Sequence, residues 1–220
     1  MQRAAVVDSV AQQIEAINTG RPVCIGIDGI DTAGKTTFAD ELAAILSRNS
    51  RQVIRASVDG FHNPRTVRYQ RGKLSPDGYY QDTFNLDAIR QLLLEPLNEG
   101  GSREYCTTNY DLVHESPIEP AYARAAEDAI LIVDGVFLHR PELRSYWDYS
   151  VYLCISPATA LQRAIKRDAA VFGSIEAIQE HYQQRYLPGQ QIYLERCQPE
   201  QVATIVIDNN DVGAPRAMRG

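Results

Sequence analysis

The chain lacks the features that mark a membrane, secreted or nucleic-acid-binding protein. Its 22 Lys and Arg residues are outnumbered by 28 Asp and Glu residues, which gives a formal net charge of −6. This balance argues against broad, salt-driven binding to nucleic acid or to an anionic membrane. No apolar run approaches the ~20 residues that span a bilayer, and residues 1–19 alternate apolar and polar side chains where a signal peptide needs a continuous apolar segment. We therefore expect a soluble, cytoplasmic protein without nucleic-acid or membrane partners.

Cysteines are also few, and they show no metal-binding or redox pattern. The four are scattered, with no C-x-x-C pair and no zinc-ligand spacing, at Cys24, Cys106, Cys154 and Cys197. Cys24 and Cys154 fall within apolar segments of strand length. We expect reduced side chains that pack in the core of a cytosolic protein.

One motif stands out from this ordinary composition. Residues 29–36, Gly-Ile-Asp-Thr-Ala-Gly-Lys-Thr, fit the G-x-x-x-x-G-K-[ST] spacing of a phosphate-binding P-loop, or Walker A motif. An apolar segment of strand length precedes it at 22–28, and residues 37–48 carry apolar side chains at helical spacing. Strand, glycine-rich turn and helix therefore follow in the order that the motif requires. The alternative is a glycine-containing turn with an ordinary surface lysine.

The chemistry of phosphate binding explains the spacing of the motif. Glycines let backbone N–H groups surround a phosphate, and the following helix adds its positive N-terminal dipole. Lys35 is expected on the β- and γ-phosphates of ATP, and the Thr36 hydroxyl on Mg²⁺. The predicted nucleotide-binding residues are Gly29, Asp31, Thr32, Ala33, Gly34, Lys35, Thr36 and Thr37.

Strand-like segments alternate with helical segments along the chain. Apolar runs predict strands at 22–28, 52–59, 129–135, 149–155 and 203–208. Helical spacing predicts helices at 3–18, 37–48, 86–97, 141–147, 157–170 and 174–184. This alternation predicts an α/β fold, a P-loop NTPase-type three-layer sandwich whose mainly parallel sheet has helices on both faces and a small helical lid.

The domain organisation follows from length and from the irregular segments. With no internal repeat or linker, 220 residues predict a single P-loop kinase domain. An acceptor-binding insertion is expected at about 60–118, since 63–82 has no clear periodicity and 103–113 suggests an extended strand or hairpin. The lid is expected at about 163–175. Residues 49–51 are expected to form a turn, and the tail from 209 to 220 to fray.

Two acids follow predicted strands. In open α/β sheets, ligands bind at the carboxyl ends of strands, where Asp59 and Asp134 fall. If these strands neighbour the loop strand, the carboxylates can hold Mg²⁺ through water or accept a proton from an attacking hydroxyl. Thr36, Asp59 and Asp134 are therefore the predicted metal-site residues. Each acid taken alone fits a helix cap or turn equally well.

Arg163 and Arg167 lie four residues apart, on one face of the predicted helix at 157–170. A kinase lid uses such arginines to hold the charge of the transferred phosphoryl group. The alternative is a solvated helix face.

Several segments together resemble the uridine kinase, pantothenate kinase and phosphoribulokinase group of P-loop kinases, and most closely uridine kinase-like proteins. The likeness runs from about residue 22 to residue 208 and includes the loop, Asp59-Gly60-Phe61-His62, Tyr110-Asp111-Leu112-Val113-His114, Val133-Asp134-Gly135 and Arg163-x-x-x-Arg167-Asp168. The resemblance implies that Asp59 is the catalytic base, that Tyr110 and His114 contact a nucleoside base, and that both arginines belong to a lid. Asp134 stands where family members commonly have Glu, further lid arginines are missing after Asp168, and residues 185–199 match no uridine kinase motif.

These observations predict an ATP- and Mg²⁺-dependent kinase that phosphorylates the 5′-hydroxyl of uridine or cytidine. Asp59, Lys35, Arg163 and Arg167 are the expected catalytic residues. The expected acceptor-binding residues are Phe61, His62, Tyr79, Asp82, Tyr110 and His114. Partners are ATP and a small hydroxyl-bearing substrate, and a homo-oligomer is left open.

Other functions stay open on the sequence alone. Pantothenate, a sugar or a ribose phosphate would change only the acceptor. A nucleotide-hydrolysing switch without an acceptor belongs to a different class, although the chain has no N-K-x-D guanine-recognition motif. A binding protein without catalytic activity is a third alternative.

Overall fold

A six-stranded sheet is at the centre of the computed structural model, which describes residues 2–49 and 51–219. The strands along the described chain are β1 Val23–Gly29, β2 Val53–Ser57, β3 Glu104–Tyr105, β4 Tyr110–Asp111, β5 Ser116–Pro117, β6 Ala123–Arg124, β7 Ile130–Gly135, β8 Tyr149–Cys154, β9 Ile205–Asp208 and β10 Arg216–Arg219. The central sheet has the order β10-β9-β8-β1-β7-β2, while β3 pairs with β6 and β4 with β5.

All pairs in the central sheet are parallel except β9 with β10. β1 lies between β7 and β8, and β7 lies between β1 and β2. The register sets Asp134 beside Ile27 of β1 and beside Ser57 of β2. The carboxyl ends of these three strands therefore meet at one edge, next to the loop that leaves β1.

The helices are α1 Gln2–Glu15, α2 Lys35–Leu46, α3 Arg65–Arg68, α4 Pro76–Asp82, α5 Leu86–Ile89, α6 Glu95–Leu97, α7 Pro157–Phe172, α8 Ile175–His181, α9 Leu187–Cys197 and α10 Pro199–Val202. π-Helical turns join α5 to α6 at Arg90–Leu94 and α8 to α9 at Tyr182–Tyr186. Among the helices described, none combines the length and the apolar character that a bilayer-spanning segment requires.

The sheet has a hydrophobic core on each face. Strand side chains alternate between the two, so that Ile25 and Ile132 pack with α1 and α2 while Cys24 and Val133 pack with the opposite helices. The strands are buried on both sides, as parallel strands covered by helices must be. The predicted α/β fold, with a mainly parallel sheet and helices on both faces, is confirmed.

Several local predictions differ from the structure. Residues 63–82, predicted to be a loop without regular structure, contain α3 and α4. Helix α4 begins where the Ser75 hydroxyl caps the N–H of Gly78 and Pro76 occupies the first turn. The predicted helix at 141–147 is only a 3₁₀ turn, Arg144–Tyr146. Helices α9 and α10 were not predicted.

The tail from residue 209 was predicted to fray, but β10 pairs antiparallel with β9. The hydrogen bonds between β9 and β10 satisfy backbone N–H and C=O groups that would otherwise bind water. The predicted turn at 49–51 includes Ser50, which lies outside the described residues. None of the four cysteines forms a disulfide; Cys24, Cys106 and Cys197 are buried and Cys154 is half-buried.

Candidate active site

The phosphate loop leaves β1 at Gly29 and enters α2 at Lys35. Gly34 has a positive φ of 91°, and a Cβ on it would lie 2.9 Å from the Asn209 amide nitrogen. A Cβ on Gly29 would lie 2.6 Å from the Leu153 carbonyl oxygen. Both glycines of the motif are therefore required by the loop conformation, as the spacing predicts.

Lys35 and Thr36 begin helix α2 and border a cavity of about 560 Å³. The Lys35 ammonium donates to the Ile30 carbonyl at 2.9 Å, so the side chain folds back over the loop. Burial lowers the pKa of Lys35 below its ordinary value. The negative charges of Asp31 and other nearby carboxylates offset part of this shift. The lysine therefore presents its charge over the loop, where an anion would sit.

The Thr36 hydroxyl donates to Asp134 at 2.7 Å. The second Asp134 oxygen accepts a hydrogen bond from Arg55 at 2.9 Å, so protein donors engage both oxygens. Mg²⁺ at nucleotide sites takes one or two protein oxygens and fills its remaining positions with phosphates and water. Within the described residues no group of three or more acids, histidines or cysteines could enclose a metal ion. Thr36 with Asp134 fits an ion of that kind.

Asp59 lies in the 3₁₀ turn Val58–Phe61, directly after β2. The Ser57 hydroxyl accepts from the Asp59 N–H and donates to the Asp134 carbonyl at 3.2 Å, which ties the turn to β7. Asp59 is exposed to the same cavity as Lys35 and Thr36. The strand order thus brings together the loop and both strand-end acids.

The two arginines of α7 reach the cavity from the other side. Arg163 donates to the Thr32 carbonyl at 3.2 Å and to the carbonyls of Asn209 and Asn210 at 2.8 and 2.9 Å. Arg167 forms ion pairs with Asp31 at 3.1 Å and with Asp168 at 2.6 Å. Both arginines line the cavity, and both contact the phosphate loop.

Asp31 is a carboxylate inside an anion-binding loop. Burial opposes its ionisation, but the charges of Arg167 and Lys35 and the hydrogen bond from Tyr182 together hold its pKa below the usual value. The Tyr182 hydroxyl donates to Asp31 from the π-helical turn that follows α8. No signal in the sequence identifies Tyr182, because 151 residues separate it from its partner.

The predicted acceptor-binding residues divide into two groups. His62 and Tyr79 line the cavity. The other four lie elsewhere: Phe61 is buried in the core, Asp82 pairs with Arg71 at 2.8 Å, the Tyr110 hydroxyl donates to Glu115 at 3.0 Å, and His114 is exposed beside Asp111 at 2.6 Å. Gly29 and Ala33, which were predicted to bind the nucleotide, belong to the loop but do not line the cavity.

The cavity also has lining residues that were not among the predicted nucleotide-binding, catalytic, acceptor-binding or metal-site residues. They are Ser57, Thr83, Phe84, Leu112, Gly135, Val136, Asp168, Phe172 and Tyr186. Thr83 and Phe84 follow α4 directly, and the only available signal was their position in the segment assigned to the acceptor. Tyr186 comes from the second π-helical turn, which sequence periodicity does not predict.

A buried hydrogen-bond network supports the loop from below. The Asp28 carboxylate accepts from the Gly29 N–H at 2.7 Å, from His139 Nδ1 at 2.6 Å and from the Tyr193 hydroxyl. His139 Nδ1 donates to the carboxylate, and Nε2 is hydrogen-bonded to the Ser150 hydroxyl at 2.9 Å. All four side chains are buried, so this network positions the loop and does not face the cavity.

Comparison with known proteins places the chain among P-loop kinases. A family model described as the phosphoribulokinase / uridine kinase family matches residues 24–211. Uridine-cytidine kinase A of Dictyostelium discoideum is 28% identical over 171 residues, which cover 75% of this chain and 32% of that protein. A pantothenate kinase of Lacticaseibacillus casei is 27% identical over 183 residues, which cover 78% of this chain and 58% of that protein. The chain thus spans between a third and three fifths of these curated relatives.

Among solved structures, a possible uridine kinase from Bacillus stearothermophilus superimposes with a TM-score of 0.73. It is 24% identical, and the match covers 94% of this chain and 99% of that chain. At this identity the likeness shows the fold alone.

Proposed function

The chain belongs to the phosphoribulokinase / uridine kinase family, and on that premise we propose that it is an ATP- and Mg²⁺-dependent small-molecule kinase. Its acceptor is the 5′-hydroxyl of uridine or cytidine. One observation carries the proposal: the phosphate loop and the strand-end acid Asp59 border one cavity. A phosphate donor site and a general base side by side are what phosphoryl transfer requires.

The donor half of the site is the loop with its helix. Backbone N–H groups and the N-terminus of α2 bind the phosphates, and Lys35 adds a positive charge. Thr36 and Asp134 would hold Mg²⁺, which neutralises charge on the phosphate oxygens when it is bound. Arg55 and the Thr36 hydroxyl fix the orientation of Asp134.

Asp59 acts as the general base on the acceptor. Its carboxylate accepts the proton of the attacking hydroxyl, the hydroxyl oxygen forms a bond to the γ-phosphorus, and the bond from that phosphorus to the β-phosphate oxygen breaks to release ADP. The turn that carries Asp59 is tied to β7 through Ser57. This tie keeps the base at a fixed place relative to Asp134.

The lid, about residues 163–175, supplies Arg163 and Arg167 to the transferring group. Both guanidinium groups already lie against the loop, through Thr32 and Asp31. Charge held there in advance stabilises the transition state without reorganisation. A closed lid also excludes water, which competes as a phosphoryl acceptor.

The lining around Asp59 supports an uncharged acceptor. The basic residues among the described lining residues, Lys35, Arg163 and Arg167, all contact the phosphate loop. The remaining lining residues are acidic, polar, aromatic or aliphatic, and they include His62, Tyr79, Thr83, Phe84 and Tyr186. A carboxylate or phosphate on the acceptor would meet no lysine or arginine among the described residues that line this part of the cavity, whereas a nucleoside base can stack on aromatic rings. This contrast favours a nucleoside over pantothenate or a ribose phosphate.

A screen of acceptors tests the proposal. Steady-state ADP formation is measured with ATP, Mg²⁺ and uridine, cytidine, ribose, pantothenate or ribose 5-phosphate in turn. We expect uridine or cytidine to give a kcat/KM at least about tenfold above pantothenate and ribose 5-phosphate, because an unpaired buried charge costs more than about 1.4 kcal/mol. Preference for pantothenate or ribose 5-phosphate would overturn the choice of acceptor and leave the kinase assignment standing.

A further inference from the structure

Asn209 is a fully buried polar residue next to the phosphate loop. It directly follows β9, and its exposed fraction is 0%. Its side-chain nitrogen Nδ2 donates to the Ala33 carbonyl at 2.7 Å, and a Cβ built on Gly34 would lie 2.9 Å from the same nitrogen. Gly34 lines the candidate active-site cavity and Asn209 does not. The asparagine therefore contacts the loop from the side of the protein interior.

Two neighbours determine the orientation of the Asn209 amide. The Ala33 carbonyl can only accept a hydrogen bond, and the Arg3 guanidinium, 3.4 Å from Oδ1, can only donate one. Nδ2 therefore faces the loop, and Oδ1 faces the first helix. The main-chain N–H of Asn209 donates to the Cys154 carbonyl at 2.9 Å, which ties the residue to the end of β8. The amide is thus a fixed donor to the loop.

The bond to Ala33 also determines where the next N–H points. The Ala33 carbonyl and the Gly34 N–H belong to one peptide unit, which is planar and trans, so the two groups point in opposite directions. Because the carbonyl faces Asn209, the N–H faces away from it, on the side of the loop that borders the cavity. Gly34 directly precedes α2, and the N–H groups at a helix start have no partner within the helix. Such N–H groups bind phosphate oxygens.

Glycine makes this peptide unit easy to rotate. Gly34 has a φ of 91°, and a glycine adopts positive and negative φ values about equally well. Rotation of the unit would turn the N–H away from the cavity and the Ala33 carbonyl oxygen toward it, where the oxygen would repel a phosphate. No side chain caps α2 at Gly34. The hydrogen bond from Asn209 opposes this rotation.

The segment that carries Asn209 also contacts the helix of the two arginines. Arg163 of α7 donates to the Asn209 carbonyl at 2.8 Å. The neighbouring Asn210 accepts at Oδ1 from the Ser156 N–H at 2.9 Å and from the Thr159 hydroxyl at 2.8 Å, at the beginning of α7. The residues after β9 therefore connect the phosphate loop to α7.

We propose that Asn209 is a positioning residue for nucleotide binding, whose side-chain amide orients the Ala33–Gly34 peptide so that the Gly34 N–H binds a phosphate oxygen. The inference rests on the proposed function, because it takes ATP and ADP as the ligands of the loop. The hydrogen bond is present in the free protein, so the N–H is in place before the phosphate arrives. Without this bond the loop would have to be ordered during binding, and the affinity would be lower.

Calorimetric titration with ADP tests the proposal on the wild type and on Asn209→Leu, which has a similar shape and no hydrogen-bonding group. We expect the Kd for ADP to rise about three- to tenfold, because the binding orientation of the peptide loses the free energy of one hydrogen bond. Asn85→Leu is the matched control. It removes the side-chain bond that caps α5, so it lowers the melting temperature while the loop is unchanged. Its Kd for ADP should stay close to that of the wild type.

The titrations are made at a temperature at which each variant is folded. A lower melting temperature of Asn209→Leu with an unchanged Kd for ADP would show a purely structural role and overturn the proposal. If Asn209→Leu does not fold, Asn209→Ser takes its place, since its hydroxyl is too short to reach the Ala33 carbonyl, and the same rise in Kd is expected.

Failure of the kinase function gives a different result. ADP binding that depends on Asn209, without phosphorylation of any acceptor in the screen, would overturn the kinase function and leave the role of Asn209 standing. A wild-type protein that does not bind ADP would overturn both proposals.

Discussion

The charge state of an individual residue depends on how deeply it is buried and on which charged groups lie beside it. Asp31 places a negative charge in a loop built to bind anions, and by itself it would weaken that site. Arg167 and Lys35 offset it, and its lowered pKa keeps it in the charged form. The pairing also fixes Arg167 against the loop. An acid at this position therefore attaches the lid helix to the phosphate site.

His62 gives a pH-dependent prediction at the same scale. Burial lowers its pKa below the ordinary value of 6.5, a shift that Asp59 and Glu115 oppose and Arg68 favours. Below pH 6.5 the unfolded chain therefore binds more protons than the folded chain. This histidine consequently removes stability as the pH falls from 6.5 toward its folded-state pKa, and it has no effect at higher pH.

Denaturant unfolding of the wild type and of His62→Gln measures this contribution. We expect the wild type to lose more unfolding free energy than His62→Gln between about pH 8 and about pH 5. Equal losses would contradict the account of His62.

Helices α7 and α8, which include the proposed lid at about 163–175, are held to the rest of the molecule by a few contacts between elements. Helices α7 and α8 share a small core of Ala164, Ile178 and Tyr182, and the Tyr182 hydroxyl reaches Asp31 in the loop. We expect Tyr182→Phe to weaken this attachment by about 1 kcal/mol, the net value of one hydrogen bond. Amide hydrogen exchange should become faster in α7 and α8 and stay unchanged in α1, which serves as the internal control. Unchanged exchange in the lid would refute this role of Tyr182.

Helix α9 supports the loop through the buried network at Asp28. Tyr193 donates to Asp28 and accepts from the His139 N–H at 3.0 Å. Tyr193→Phe removes both bonds and leaves the buried His139 N–H without its partner, so we expect a loss of about 1–3 kcal/mol in unfolding free energy. Chemical denaturation measures it, with Tyr122→Phe as the matched control because Tyr122 is 61% exposed. A loss no greater than that of the control would contradict a supporting role for the network.

Elements with a local signal could be predicted from the sequence. The loop, the buried apolar strands β1, β7 and β8, and helix α7 each carry a motif or a periodicity of their own. The helices between 65 and 82 were not predicted because they are short and begin at caps and prolines rather than in a long apolar pattern. β10 was not predicted because an exposed edge strand shows no buried face.

The candidate site divides in the same way. Asp134 lies at the end of a strand, and Lys35, Thr36 and Asp59 lie in segments that follow strands, so a parallel sheet alone is enough to predict that these residues lie close together. Side-chain contacts between segments that are far apart in the sequence cannot be predicted from the sheet alone. Asp28 and Tyr193, for example, are 165 residues apart.

At the scale of the whole molecule, the sheet brings a phosphate loop, two acids and two arginines to one edge. The overall charge of −6 does not favour anions, so ATP binding depends on local groups. Lys35, the N-terminus of α2 and the lid arginines supply the positive charge. We propose that the acceptor binds in the same cavity, next to Asp59. This division into a donor half that carries the positive charges and an acceptor half whose described lining residues include no lysine or arginine is the central claim.

The identity of the products tests that claim most directly. ATP, Mg²⁺ and uridine are incubated with the protein, and ADP, inorganic phosphate and uridine 5′-monophosphate are quantified by ³¹P NMR. We predict ADP and uridine 5′-monophosphate in equal amounts, with turnover reduced roughly 10²–10⁴-fold and ATP affinity retained in Asp59→Asn. Asp8→Asn, at an exposed position of α1, should behave as the wild type. ADP and inorganic phosphate released at a rate independent of uridine would contradict the claim and identify a nucleotide hydrolase.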